Sequence, residues 1–337
     1  MSNSPKIKFN YIAPISIKIN DVFIFPDGDF IIFQNYKSTL YDSKTLKIKM
    51  YFDIDSARCF NYFSNDEFGL MALSDLLELC KFKENRTCYE TIQKIDLFSI
   101  NLEKIIRIVN EDIIIFRSYL GKKITDIFRK RGSEYFEESK YQIGNVDNII
   151  ELDQNEFLTH KKTISPEGLE LKIIKNKNYK VKKDNFIKAD IYLDKKRFYF
   201  LTDIYKIKNC NKLICGGANE IFIIDINELE LETTIKLDKT IKSILLRNNG
   251  DIFVLTYVTL LANNKAHKCD WEFLLKNIQI NFQFNNIIKE EEKILKDNIG
   301  NLSSFFAIYN YMENGLLTTC CQNRVIIYDN FNFESSN

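Results

Sequence analysis

Apolar residues in this chain fall in short runs separated by clusters of Asn, Asp, Gly and Ser. The clearest stretch is Asp21 to Tyr51, which reads DVFIFPDG, DFIIFQNY, KSTLYDSKT and LKIKMY. Short apolar or alternating runs bounded by turn residues predict β-strands joined as antiparallel hairpins. These four segments predict a meander that turns at Asp27-Gly28, near Asn35 and after Tyr41-Asp42. No 3.6-residue stripe is sustained over comparable lengths, so helices do not organise the chain. The segment left open to a short helix is NNIIKEEEKILKDN (285–298).

The meander recurs. Residues 205–237 repeat it whole, 241–257 repeat its first hairpin around Asn249-Gly250, and 311–329 repeat it around Asn314-Gly315. Weaker copies cover 57–74, 102–118 and 146–162. First-hairpin turns then fall near Gly28, Asp66, Glu111, Asn155, Asn211, Gly250 and Gly315. Four-strand units spaced by roughly 40–45 residues are the blades of a β-propeller. The expected fold is all-β: a seven-bladed β-propeller of four-stranded antiparallel blades, one domain over 1–337. A different propeller type or a pair of β-sandwiches are the alternatives. The two longest gaps between turns predict insertions near 188–203 and 259–300. The last repeat stops after three strands, whereas YIAPISIKIN (11–20) is a spare run ahead of the first. Pairing the two predicts a closing strand within residues 1–20 that leaves no open seam. LICGG (213–217) and LLTTCC (316–321) are expected on inner strands, where small residues pack most closely.

Composition supports the β reading and narrows the function classes. The chain has 27 Phe and 17 Tyr among 337 residues, and aromatic and β-branched residues suit pleated, half-buried surfaces. Lys plus Arg is 47 against 46 Asp plus Glu, a net charge of +1. That balance excludes a globally basic nucleic-acid binder but leaves room for local patches. Lys6, Lys8, Asn10 and Lys18 interrupt any apolar run of signal-peptide length at the start. No stretch approaches the length of an apolar membrane span. A cytoplasmic or nuclear location is expected. The eight cysteines form no C-x-x-C pair, so buried reduced thiols are expected, with no metal or other cofactor.

The closing dipeptides Tyr41-Asp42, Ile224-Asp225 and Tyr328-Asp329 resemble the Trp-Asp pair of WD-repeat propellers, and the resemblance covers nearly the whole chain. The family's Gly-His pair is absent; the two histidines are His160 and His267. The single Trp271 opens a plausible third strand but is followed by Glu272. The resemblance implies a non-enzymatic scaffold for protein–protein contacts, its partners other proteins.

Candidate chemistry is sparse. There is no G-x-S-x-G elbow, and Gly216-Gly217 lacks the residues of a phosphate loop; close packing accounts better for those glycines. FRKRGS (128–133), with Arg129, Lys130 and Arg131, resembles the Phe-Arg-Arg-Gly motif of phosphoinositide-binding propellers, with Lys130 inserted. From Lys161 to Lys188 nine lysines face three acids, interleaved with Tyr179 and Phe186. Read as one outer strand, Lys172, Lys180 and Lys182 share one side, and Lys175, Lys177 and Lys183 the other. Lys195, Lys196 and Arg197 follow. These patches carry the alternative function: a module for phosphorylated ligands such as RNA, a phosphoinositide or an anionic membrane. The acidic run Glu290 to Glu292 marks either a protruding loop or, the more usual reading of a charge run, a solvated face.

Overall fold

The computed structural model describes residues 6–13, 19–34, 37–52, 59–63, 66–71, 76–97, 102–119, 122–138, 143–164, 167–188, 204–247, 250–260, 270–283, 286–294, 305–311, 315–320 and 324–329. They form seven four-stranded antiparallel sheets. Strand β1 (Lys6–Ile12) belongs to the last of them. The first sheet is β2 (Ile19–Ile24), β3 (Phe30–Gln34), β4 (Ser38–Tyr41) and β5 (Ile48–Phe52). The second is β6 (Cys59–Tyr62), β7 (Glu67–Met71), β8 (Leu76–Lys83) and β9 (Cys88–Asp96). The third is β10 (Leu102–Arg107), β11 (Ile113–Tyr119), β12 (Lys122–Arg131) and β13 (Glu134–Glu137). The fourth is β14 (Asn148–Glu151), β15 (Glu156–Ile164), β16 (Glu167–Lys175) and β17 (Val181–Lys188). The fifth is β18 (Tyr205–Lys206), β19 (Lys212–Gly217), β20 (Glu220–Asp225) and β21 (Glu230–Lys236). The sixth is β22 (Thr240–Leu246), β23 (Ile252–Leu260), β24 (Asp270–Asn281) and β25 (Asn286–Ile294). The seventh joins β26 (Phe305–Tyr311), β27 (Gly315–Cys320) and β28 (Arg324–Asp329) to β1. Two compact units divide the chain: 13–161 with 172–184, and 1–12 with 162–171 and 185–337.

Turn chemistry explains the repeat. In the first hairpins, Phe25, Phe63, Ile108 and Arg247 donate their N–H to the carbonyls of Asp29, Glu67, Asp112 and Asp251 at 2.8–3.0 Å. Gly28, Asp66, Glu111 and Gly250 hold the positive φ that such a three-residue loop requires. The third and fourth strands are joined by a second recurring turn. Leu46, Tyr179 and Leu229 sit there at φ 57°, 54° and 59°. Asp42 caps the first of these turns, accepting from the N–H of Thr45 at 2.7 Å and of Lys44 at 3.1 Å. The Thr45 backbone bond leads the effects that hold its carboxyl below the usual range. Asp225 accepts likewise from Glu228 N–H at 2.8 Å. The Asp of the first two closing dipeptides, Asp42 and Asp225, is therefore a turn cap, a role that does not depend on the residue before it.

The core lies between successive sheets. Phe25, Phe33, Phe52, Phe68 and Phe82 fill the space between the first and second, with Phe68 stacked on Phe82 at 4.2 Å. Leu77, Leu79, Ile105, Ile113 and Ile115 join the second to the third. Ile221, Ile223, Ile244 and Val254 join the fifth to the sixth. Second and third strands are thus covered on both faces, which is why β3 reads FIIFQ without alternation. A Cβ on Gly69 would lie 2.5 Å from Ile105 Cδ1, and one on Gly216 would lie 2.5 Å from Ile244 Cδ1. Glycine lets a second strand approach the first strand of the next sheet in both units, the close packing expected of Gly216.

Several expectations change in detail. The closing strand is Lys6–Ile12, which pairs with β28, and Arg324 Nε donates to Asn10 Oδ1 at 2.7 Å. Ile19, from the expected run, instead opens β2, where it and Val22 are buried. Residues 213–217 and 316–320 lie on second strands rather than the first strands that pack on one another, such as β22 against β26; Cys321 lies outside the described residues. Residues 286–294 are strand, and Glu290, Glu291 and Glu292 pair in register with Ile278, Asn277 and Lys276. Electrostatics settles that segment: Lys276 is buried and its Nζ meets Asp238 at 2.7 Å and Glu290 at 2.5 Å. Burial opposes the Lys276 charge, but these carboxylates outweigh it and raise its pKa. In the 259–300 stretch lie β24 and β25, with Trp271 at the start of β24; residues 261–269 and 295–300 are outside the described residues.

Candidate interaction surface

The two basic segments of the sequence meet in the unit of residues 13–161 and 172–184. Arg129, Lys130 and Arg131 end β12, ahead of a two-residue turn in which Gly132 takes φ 65°. The lysine-rich stretch is a hairpin, not one outer strand. Lys172 and Lys175 are on β16, Lys177 is in the turn, Lys180 follows it, and Lys182 and Lys183 are on β17. Lys175 N–H donates to Lys180 O at 3.0 Å, and Tyr179 N–H donates to Lys175 O at 2.8 Å. Asn-Lys-Asn favours such a reversal over a continued strand.

Asp112 ties the two segments together. It is 3 % exposed. Its Oδ2 accepts from Tyr179 Oη at 2.5 Å, Asn110 Nδ2 at 3.0 Å and Arg129 Nε at 3.4 Å. The Arg129 guanidinium lies 5.9 Å from the centre of the Tyr179 ring. Burial leads the effects that raise the Tyr179 pKa, followed by its bond to Asp112, so the phenol stays a neutral donor. Asn176 fastens the other side of the turn, with its N–H on Asn155 O at 2.7 Å and its Nδ2 on Gln154 O at 3.0 Å. Glu151 accepts the N–H of exposed Val109 at 2.7 Å.

Charge separates the two segments. Lys130 pairs with Glu111 at 3.1 Å, Arg131 with Glu138 at 3.4 Å, and Arg129 with both Asp112 and Glu138. The hydrogen bond from Lys130 leads the effects that hold Glu111 below the usual carboxylate range. Arg129–Arg131 is therefore balanced by its own neighbours. In the hairpin Lys182 pairs with Glu156 at 2.8 Å. Lys175, Lys177 and Lys180 are exposed and have no ion pair among the described residues. Lys195, Lys196 and Arg197 lie outside the described residues.

The sequence marks Tyr179 only as an aromatic among lysines, and it does not single out Asp112. The signal was present: an acid follows the turn residue at Asp29, Glu67, Asp112 and Asp251. Asp29 does the same work two seams earlier. It accepts from Lys49 Nζ at 2.7 Å and Ser43 N–H at 2.9 Å, while Arg86 reaches both Asp27 and Asp29.

Similar architectures exist among solved structures. The propeller domain of Myceliophteria thermophila Cps50 (Swd1) aligns over 96 % of this chain and 99 % of its own, with TM-score 0.62 and 9 % identity. Kluyveromyces lactis Hsv2 aligns over 91 % of each chain, with TM-score 0.59 and 13 % identity. The fold is a seven-bladed, WD-repeat-like β-propeller. No protein-family model and no curated protein matches the sequence of this propeller. Among the described residues, no helix of the propeller is long and apolar enough to cross a membrane.

Proposed function

We propose that this propeller is a non-enzymatic interaction scaffold that receives an acidic segment of a partner protein on the hairpin of Lys175, Lys177 and Lys180. The observation that carries the reading is the contrast between these exposed lysines and the internally balanced Arg129–Arg131 segment. The hairpin is already fastened through Tyr179 and Asn176, so docking orders little backbone. The likeness to other propellers supports a scaffold at a general level.

The test is a titration of a fluorescent poly-glutamate peptide, with single-stranded RNA and anionic-lipid vesicles alongside, at low and physiological salt. Peptide binding that weakens with salt and disappears in the Lys175→Glu/Lys177→Glu/Lys180→Glu variant supports the proposal. RNA or vesicle binding with a steep salt dependence, lost in the same variant, replaces it with the phosphorylated-ligand reading. Equal binding of every probe by variant and parent refutes both.

A further inference from the structure

In the first, fourth and fifth sheets the turn between third and fourth strands follows one backbone plan. In the first, Asp42 N–H donates to Lys47 O at 2.9 Å, Leu46 N–H donates to Asp42 O at 2.9 Å, and Leu46 takes φ 57°. In the fourth, Lys175 N–H donates to Lys180 O at 3.0 Å, Tyr179 N–H donates to Lys175 O at 2.8 Å, and Tyr179 takes φ 54°. A side-chain bond recurs as well. Thr45 Oγ1 accepts from Lys47 N–H at 3.4 Å, and Asn178 Oδ1 accepts from Lys180 N–H at 3.2 Å. In the fifth, Asp225 pairs in register with Glu230, and Leu229 takes φ 59°. Lys175 therefore stands where the other two sheets have Asp42 and Asp225. Lys177 stands at the position of Lys44, and Asn178 at that of Thr45 and Glu228.

The exchange of Asp for Lys175 removes an anion from the turn and keeps its donors. Asp42 Oδ1 accepts from Lys44 N–H at 3.1 Å and Thr45 N–H at 2.7 Å, and Asp225 Oδ1 accepts from Glu228 N–H at 2.8 Å. A carboxylate oxygen thus fits this turn in two sheets. The Thr45 N–H leads the effects that hold the Asp42 carboxyl below its usual range, so the turn favours negative charge. Lysine has donors and no acceptor, so Lys175 cannot fill that role. The N–H groups of Lys177 and Asn178 accordingly have no acceptor among the described residues. Charge adds to this. Where the first sheet sets Asp42 opposite Lys47, the fourth sets Lys175 opposite Lys180, and like charges so placed repel.

We propose that a side-chain carboxylate of the partner segment caps this turn, one oxygen accepting from the N–H groups of Lys177 and Asn178 with Lys175, Lys177 and Lys180 around it. Neighbouring backbone N–H groups in a turn make an anion-binding concavity of this kind. A carboxylate is assigned rather than a phosphate because the same turn takes one from Asp42 and from Asp225. The cap presupposes that the hairpin receives an acidic segment. It adds backbone donors to lysine charge as the means of recognition.

The test compares two neutral substitutions in the full chain, Lys175→Asn and Lys175→Gln. Both remove the same charge. Only asparagine carries its oxygen at the reach of Asp42 Oδ1, so it caps the turn from within. A fluorescent poly-glutamate peptide is expected to bind Lys175→Gln about threefold, and Lys175→Asn at least about tenfold, more weakly than the parent. In the parent, the peptide should move the amide proton resonances of Lys177 and Asn178 downfield; in Lys175→Asn they should lie downfield without it. Lys175→Asp restores the cap and its charge, and should melt above the parent while losing the peptide. Equal losses in Lys175→Asn and Lys175→Gln, with both amides unmoved by peptide, overturn the cap but leave the lysine site standing. No peptide binding by the parent overturns the cap and the acidic-segment reading together. Saturation of the two amides by inorganic phosphate at lower concentration than by acetate overturns the assignment to a carboxylate.

Discussion

Tyr179 and Tyr135 occupy neighbouring seams of one repeat and meet different fates. Both belong to hairpins between third and fourth strands; Tyr179 reaches the residue after the preceding sheet's first turn, whereas Tyr135 is tied to the preceding sheet through backbone bonds to Gln93. Tyr179 finds Asp112, a short buried carboxylate that also collects Asn110 and Arg129. At the seam of Tyr135 the residue after the first turn is Glu67, one methylene longer and paired with Arg107, and the Tyr135 hydroxyl has no hydrogen-bond partner among the described residues. Similar sheets thus yield a seam latched by a tyrosine hydroxyl and one without that latch. The difference resides in the side chains, not in the strands. Charge follows the same division: Arg129–Arg131 faces its own acids, whereas the hairpin fastened by Tyr179 displays Lys175, Lys177 and Lys180.

The strongest way to break the comparison is Asp112→Ala. It orphans the Tyr179 hydroxyl and the Asn110 amide inside the protein and should cost about 3 kcal/mol in denaturant unfolding. A loss under about 1 kcal/mol would mean that water replaces the latch. Next comes Gly69→Val at the seam of Tyr135, where Ile105 and Phe63 leave no room for the added methyls. About 1–3 kcal/mol of destabilisation is expected from overpacking. A neutral result would show this seam to be loosely packed.

Paired tyrosine substitutions sharpen the contrast. Tyr179→Phe should cost about 1.5–3 kcal/mol, because it breaks a buried bond to a charged group, while Tyr135→Phe stays within about 0.5 kcal/mol. Equal losses in the two variants would erase the distinction between the seams. The smallest stability change is expected from the Lys175→Glu/Lys177→Glu/Lys180→Glu variant, within about 0.5 kcal/mol by thermal or chemical unfolding. A larger loss would show that these lysines are held by the protein itself. The pH dependence sets the sign for Glu111. Its folded pKa is lowered, so its contribution is complete above the unfolded value of about 4.3 and is lost as pH falls through the folded one. Acid titration followed by NMR should place Glu111 below Glu111 in the Lys130→Gln variant.

Much of the fold was legible in residues. The turns expected at Gly28, Asp66, Glu111 and Gly250 fall on the positive-φ positions of first hairpins. Turn chemistry is local, so an Asp-Gly or Asn-Gly pair between apolar runs carries it unaided. The closing strand was legible as a surplus of strand at one end and a deficit at the other. Its bounds were not, because Tyr11 to Asn20 is apolar enough to extend either β1 or β2, and only pairing with β28 and burial of Ile19 divide it. The lysine stretch was misread as one strand because lysine spacing carries no turn signal. Asn176 and Asn178 did carry one, obscured in a chain where asparagine is common throughout.

The sequence by itself determined the four-strand repeat and the first-hairpin turns that mark it. Each follows from hydrophobic period and turn residues acting over a few neighbours. Only the tertiary structure decided which charges are satisfied. Arg129 lies near Glu138 in sequence, but its other partner Asp112 is on β12's neighbour hairpin, and Tyr179 comes from the following sheet. Ion pairing and latching depend on distances across seams, which no spacing along the chain encodes. For the same reason a run of basic residues reads alike in sequence whether it is balanced, as at Arg129–Arg131, or displayed, as at Lys175–Lys180.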